Sequence, residues 1–222
     1  MSTKFYALPV VSMNRETATC VAIGFQIPEE LKSTFTFIPG QYLTIKATIN
    51  GQEIRRSYSI CSAPQDPLIK VAVKQVEQGL FSTYAVQQLK VGDVLEVMPP
   101  MGNFVSKSTD QAKHTLLIAA GSGITPMMSM IKAGLTNNDQ DRFTLLYGNQ
   151  SRQSIIFREE LEDLKNKYVS RLSLNHVLSR EAVDLPIMNG RIDEQKCKEF
   201  AQGIFDVATL TEAFICGPEA MI

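Results

Sequence analysis

The sequence predicts a β plus α/β architecture: an N-terminal antiparallel β-barrel, then an α/β domain built on a parallel sheet and incomplete at its C-terminal end. Three observations carry that expectation. Apolar residues alternate at period two through the first half, they recur at helical spacing between apolar runs in the second, and a polar stretch from Ser106 to Lys113 separates the two patterns. The expected boundaries are 1–107 for the barrel and 114–222 for the α/β domain.

In the first half, Val21, Ile23, Phe25 and Ile27 alternate, as do Leu43, Ile45, Ala47 and Ile49, and then Ile69, Val71 and Val73. The run Val94 to Val97 follows. Turn signals punctuate these runs at Pro39-Gly40, Asn50-Gly51, Pro64 to Pro67 and Gly92-Asp93. Short strands at such intervals suit a barrel. Apolar spacing predicts one short helix from about Phe81 to Leu89.

In the second half, Thr115 to Ala120 is an almost continuous apolar run, and Ile124, Met127, Met128, Ile131 and Leu135 then share one helical face. Phe143 to Tyr147 is the next strand. Phe157, Leu161, Leu164 and Tyr168 return to helical spacing, and Leu172 to Leu178 is a third strand. Asp193 is a candidate N-cap for a helix from Glu194 to about Gln202. Ala213 to Cys216 is a fourth strand. Repeated strand–helix units imply a parallel sheet with ligands at the carboxyl ends of its strands. The last residues, Gly217 to Ile222, read as the first turn of a helix that does not finish, so the chain is expected to be a fragment.

Composition narrows the function classes. A net charge of −1 over 222 residues offers no basic footprint for nucleic acid. No apolar run reaches the length of a membrane span, and Met1 to Val11 lacks a signal pattern, so a cytoplasmic location is expected. Four scattered cysteines without a Cys-x-x-Cys pair and two isolated histidines predict neither a metal site nor an iron–sulfur cluster in this chain.

The chemistry-bearing residues fall into clusters. Arg55-Arg56-Ser57-Tyr58-Ser59-Ile60-Cys61-Ser62 sits where a half-buried strand should end. A guanidinium binds phosphate through paired hydrogen bonds, and a tyrosine ring stacks on a planar heterocycle. Arg56, Tyr58 and Ser59 therefore suit a flavin nucleotide: cation on the pyrophosphate, ring on the isoalloxazine, hydroxyl near N5. Gly79-Leu80-Phe81-Ser82, ahead of the short helix, offers a close backbone approach and free helix-start N–H groups to an anion, although a loop and a capped helix need the same residues. Gly121-Ser122-Gly123-Ile124-Thr125-Pro126 follows an apolar strand and opens an amphipathic helix, the setting in which a glycine-rich loop cradles a pyrophosphate. Pro126 replaces the last glycine of the dinucleotide fingerprint, at little cost in a first helical turn. Beyond Tyr147 the strand end carries Ser151 and Arg152 and no carboxylate, which favours the phosphate of NADPH and leaves NADH as the alternative; Arg158 is a second candidate cation.

The spacing Arg-x-Tyr-Ser-x-x-Ser, the glycine loop ending in Thr125-Pro126, and Cys216-Gly217-Pro218 occur in the order found in the ferredoxin–NADP(H) reductase family, which the chain resembles from Arg56 to Pro218. The resemblance implies an FAD-binding barrel and a Rossmann-like nicotinamide domain. It places Val73, Lys74, Gly79, Phe81 and Ser82 along the flavin, and Thr125 near the nicotinamide. It sets Cys216 beside the reacting carbon, with Gly217 and Pro218 completing that edge, and gives Ser59, Tyr58 and Cys216 the catalytic positions. A narrower likeness, carried by Gln52 to Cys61, Leu145 to Asn149 and Ala213 to Pro218, is to the reductases of oxygenases in phenylacetate and other aromatic degradation. It implies a [2Fe-2S] centre only in a further C-terminal domain, and an oxygenase component or ferredoxin-type acceptor as partner. The alternative is a flavin-binding regulatory or electron-transfer assembly subunit without rapid NAD(P)H turnover.

Overall fold

The computed structural model describes residues 4–107 and 111–222. The expected linker, Ser106 to Lys113, thus lies partly outside the described residues. The chain divides into two compact units: Met1–Ser106 with Met128–Ala133, and Lys107–Met127 with Gly134–Ile222.

The first unit is a six-stranded antiparallel sheet in the order β4-β3-β6-β1-β2-β5. Its strands are β1 (Tyr6–Thr17), β2 (Cys20–Phe25), β3 (Tyr42–Ile49), β4 (Gln52–Ser59), β5 (Ile69–Lys74) and β6 (Val94–Val97). A bridge between Ile60 and Val71 joins the two outer strands and closes the sheet into a barrel. Alternation puts Leu8, Val10, Ile23, Phe25, Leu43, Ile45, Val71, Val73 and Val97 into one core. Asn50 and Gly51, both at positive φ, turn the β3–β4 hairpin. Helix α1 (Leu80–Gln87) buries Phe81, Ala85 and Val86.

Strand β1, the longest, is not foreseen from the sequence. Only Leu8 and Val10 are buried along it, and its register against β2 shifts between Val10 and Ser12 and between Arg15 and Thr17. Such bulges break the period-two signal that reveals β3 and β5.

The second unit is a four-stranded parallel sheet in the order β10-β7-β8-β9. Its strands are β7 (His114–Ala120), β8 (Arg142–Asn149), β9 (Leu172–Leu178) and β10 (Glu212–Cys216). The helices are α2 (Ile124–Asn137), α3 (Arg158–Lys167) and α4 (Glu194–Gly203). Asp193 caps α4, its carboxylate accepting from the Lys196 N–H at 2.8 Å. Leu116, Ile118, Leu146, Val177, Ile192 and Phe200 form one core of this unit. After Cys216 the backbone makes a short 3-10 turn at Glu219–Met221. Parallel pairing sets the carboxyl ends of β7, β8 and β10 along one edge, where the glycine loop and the Cys216 turn begin.

Candidate cofactor sites

In the barrel, β4 presents the first cluster. Its antiparallel register with β3 pairs Ile45 with Arg56, Leu43 with Tyr58 and Tyr42 with Ser59. Side chains alternate along a strand, so Arg56 and Tyr58 leave one face and Ser59 the other. Arg56 is exposed, and one of its terminal nitrogens donates to the Arg55 carbonyl at 2.8 Å. It makes no ion pair among the described residues, whereas Arg55 pairs with Glu53 at 2.7 Å. The Tyr58 ring is half-buried against Phe81, with centroids 5.6 Å apart and planes tilted by 35°. Burial pushes the Tyr58 phenol up to about 12, with Arg56 opposing, so the hydroxyl keeps its proton and remains a donor. Ser59 is half-buried, and the Ser62 hydroxyl accepts from the Lys70 N–H at 2.9 Å.

The remaining barrel residues divide by access. Val73 and Phe81 are 0 % and 1 % exposed, so each reaches a bound flavin only through backbone or through a neighbour. Lys74 is half-buried at the end of β5. Gly79 caps α1 without a side-chain hydrogen bond. The Ser82 hydroxyl closes the loop ahead of the helix, donating to the Gly79 carbonyl at 3.1 Å and accepting from the Val76 N–H at 3.2 Å.

In the parallel unit, the glycine loop leaves β7 at Gly121, whose φ of +54° favours a residue without Cβ. A 3-10 turn over Gly121–Gly123 leads into α2. A Cβ on Gly123 would lie 2.0 Å from the Cys216 carbonyl oxygen and 2.5 Å from its carbon. The loop backbone therefore rests directly on the turn that follows β10. Ser122 is exposed, while Thr125 and Pro126 are buried in the first turn of α2. The Thr125 hydroxyl donates to the Ser122 carbonyl at 3.0 Å. Cys216 and Gly217 are half-buried and Pro218 is exposed. Burial raises the Cys216 thiol, which keeps it neutral and fits positioning better than nucleophilic work.

Two residues escape the sequence reading. Tyr147, fully buried on β8, donates its hydroxyl to the Gly121 carbonyl at 2.9 Å and accepts from the Ile156 N–H at 3.3 Å. Glu181, beyond β9, accepts from the Arg152 backbone N–H at 2.8 Å and approaches its guanidinium at 3.4 Å. A carboxylate therefore does stand at the end of β8, delivered from the neighbouring strand. Ser151 opens the short turn that holds Arg152, its N–H donating to the Ser154 hydroxyl at 3.0 Å. Arg158 is exposed at the start of α3.

These features fit the two cofactors: a half-buried aromatic ring beside a guanidinium that makes no ion pair among the described residues of the barrel, and a loop pressed so close to backbone that a Cβ is excluded. Among the described residues, no group of three or more His, Cys, Asp and Glu could hold a metal ion, and no helix is long and apolar enough to cross a membrane.

Two families of known proteins match the chain, one after the other. Residues 8–106 match the family described as Oxidoreductase FAD-binding domain, and residues 117–222 match the Oxidoreductase NAD-binding domain. The chain belongs to the ferredoxin reductase-type flavoproteins, which join an antiparallel FAD-binding domain to a parallel-sheet NAD-binding domain. Within that class it is similar to one of the subunits of 1,2-phenylacetyl-CoA epoxidase from Escherichia coli K12, with 43% identity over 99% of this chain and 62% of that protein. It is 39% identical, over 77% of its length and 48% of the relative's, to the ferredoxin reductase component of 3-ketosteroid-9-alpha-monooxygenase from Rhodococcus rhodochrous. The chain thus spans less than two thirds of these relatives. The fold matches a ferredoxin NADP+ reductase from Neisseria gonorrhoeae with bound FAD and NADP, at TM-score 0.83 and 18% identity over 100% of this chain and 88% of that one. It also matches the CS-b5R domains of human Ncb5or at TM-score 0.84 and 26% identity, over 100% of this chain and 64% of that one.

Proposed function

We propose that the chain takes a hydride from NAD(P)H onto FAD and passes the electrons singly to an iron–sulfur centre that feeds a multicomponent oxygenase in phenylacetate or other aromatic degradation. The [2Fe-2S] centre would lie in a further domain or in a ferredoxin-type partner. NADPH is the coenzyme first assigned, with NADH as the alternative. The domain boundaries proposed are 1–107 and 114–222.

The observation that carries this reading is the contact between Gly123 and the Cys216–Gly217 backbone. It brings the glycine loop and the Cys-Gly-Pro turn, nearly a hundred residues apart in the chain, to one edge of one sheet. Gly121 at a φ of +54° turns the chain out of β7, and Ser122 faces solvent just ahead of α2, where a pyrophosphate would dock. FAD, when bound, accepts a hydride and releases its electrons one at a time; the protein orients and insulates it. Arg56 would neutralise pyrophosphate charge, Tyr58 would cover the ring system, and Ser59 would donate a hydrogen bond at N5. Val73, Lys74, Gly79, Phe81 and Ser82 would shape the flavin wall. Gly121, Ser122, Gly123, Thr125 and Pro126 would hold the coenzyme pyrophosphate, Ser151 and Arg152 its adenosine end. Cys216, with Gly217 and Pro218, would position the nicotinamide as a neutral thiol.

The test is the visible spectrum of the FAD-reconstituted chain under anaerobic conditions, before and after NADPH and, separately, NADH. Bleaching of the flavin bands is expected within the dead time of manual mixing. A flavin spectrum that persists with both coenzymes overturns the hydride step and leaves the barrel as a flavin-binding module.

A further inference from the structure

We propose that the open outer edge of β9 pairs with an extended acidic segment of a partner protein, which adds a strand to the parallel sheet. The inference goes beyond the NAD(P)H reading above and does not depend on it.

The edge follows from the order of the sheet. β9 is its last strand, so the ladder pairs only one side of its backbone. The Phe143 N–H donates to the Arg171 carbonyl at 2.7 Å, and the Ser179 N–H to the Asn149 carbonyl at 2.9 Å. Every second residue between Arg171 and Ser179 therefore turns its backbone groups toward β8, and Leu174 and His176 turn theirs outward. At the carboxyl end the outward side is already occupied: Leu178 bridges Asn189, and the Gly190 N–H donates to the Leu178 carbonyl at 2.8 Å. At the amino end the Leu172 N–H donates to the Tyr168 carbonyl at 2.9 Å. The open row is centred on Leu174 and His176, which are half-buried and so within reach of solvent. Edge groups of this kind are a template for another strand.

Charge says what kind of segment fits. A groove of about 440 Å³ runs along this part of β9, lined by Arg142, Lys165 and Arg171 together with Ser170 and Ser173, and by no carboxylate among the described residues. Arg142 and Lys165 are exposed and make no ion pair among the described residues. Arg171 is fixed by carbonyls, one terminal nitrogen donating to Asn138 at 2.7 Å and the other to Leu135 at 2.8 Å. Asp141, beside Arg142, turns its carboxylate to the Lys113 N–H at 3.0 Å. Two copies of this chain pairing through β9 would bring like charges together, which disfavours a homodimer on this edge. A free anion has no use for alternating backbone donors and acceptors. An acidic strand satisfies both the row and the cations.

The test is binding of a labelled peptide of alternating glutamate and valine to the FAD-reconstituted chain, followed by fluorescence anisotropy, with amide hydrogen exchange read residue by residue. The peptide should bind at low salt and weaken as salt rises. Exchange should slow at Leu174 and His176, whereas Ser173 and Asn175, already turned to β8, should not change. Arg142→Glu combined with Lys165→Glu should weaken binding by about tenfold, because two exposed attractions become repulsions. Leu174→Pro removes an outward donor without breaking a ladder bond and should abolish the protection at His176. If that variant fails to fold, the charge variant and the exchange pattern decide alone. No binding, or equal binding of a lysine–valine counterpart, overturns the proposal. So does binding that leaves Leu174 and His176 unprotected, which would reduce the site to a charged surface, or displacement by inorganic phosphate at matched ionic strength, which would make it a small-anion site. Protection of the same amides that grows with protein concentration in the absence of peptide would make the occupant a second copy of this chain and overturns the acidic partner.

Discussion

The Tyr147 hydroxyl donates to the carbonyl of Gly121 across 2.9 Å and holds the first residue of the glycine loop to the strand beside it. Adjacent pairing of Ala119 with Tyr147 and of Ala120 with Gly148 brings the ring under the loop. The same hydroxyl accepts from the buried Ile156 N–H, so one side chain ties two segments of the carboxyl-end edge. Tyr147→Phe keeps the ring and strands both partners. It should cost about 1–3 kcal/mol in urea unfolding, the penalty for a buried polar group left unmade. It should also raise KM for NAD(P)H several-fold with flavin content unchanged. A stability loss with an unaltered KM would confine Tyr147 to a packing role.

Gly123 has no room for a methyl group. A Cβ 2.0 Å from the Cys216 carbonyl oxygen meets backbone that is fixed by five register pairs between β7 and β10, so neither side yields cheaply. Gly123→Ala should destabilise the parallel unit by about 1–3 kcal/mol or more. Thermal melting should show the loss, and NAD(P)H-driven bleaching should be impaired while the FAD bound per chain stays the same. Wild-type melting and reduction in the alanine variant would mean that the loop can retreat from β10.

Much of this was legible in the sequence because burial follows simple periods. β3, β5 and β7 announce themselves through alternation or continuous apolar runs, and Asp193 signals α4 by its chemistry. β1 was hidden because bulges break its alternation and because Ser12 and Asn14 occupy positions a regular strand would make apolar. The glycine loop was legible as a local motif. Glu181 and Tyr147 were not, since each acts across a parallel pairing whose partner strands are separated by a helix. Once strand order is known, the rule is short: residues just past neighbouring parallel strands share one edge.

Arg56 and Ser59 sit on opposite faces of β4, which predicts separable defects. Arg56 has no carboxylate partner among the described residues, so Arg56→Ala removes a cation without stranding an anion. The apoprotein should be as stable as wild type, and FAD retained through gel filtration should fall several-fold. Ser59→Ala should keep its flavin and slow single-turnover reduction by NAD(P)H by about tenfold, as expected on losing one preorganised donor worth about 1.4 kcal/mol. Equal flavin content in Arg56→Ala, or an unchanged reduction rate in Ser59→Ala, would remove the assigned role.

His176 gives the parallel unit an acid-sensitive limb. Its ring lies 5.8 Å from that of Tyr147, and neither ring nitrogen has a hydrogen-bond partner among the described residues. Burial first, then the positive charges of Lys165 and Arg158, pushes its pKa down to about 4 from the usual 6.5. Between those values the unfolded chain binds the proton and the folded chain does not, so stability rises with pH across that window. The contribution is complete above about pH 6.5 and is lost as pH falls toward 4. At about 1.36 kcal/mol per pH unit the full span is on the order of 3 kcal/mol. Burial and Arg142 lower His114 too, so it acts in the same direction and must be held constant. Urea unfolding of wild type and His176→Leu at pH 7.5, 5.5 and 4.5 isolates the effect. The wild type should lose more stability than the variant between the first and last pH, because leucine cannot take up the proton in either state. Parallel losses would mean that solvent reaches the His176 ring in the folded protein and that the acid limb belongs to other groups.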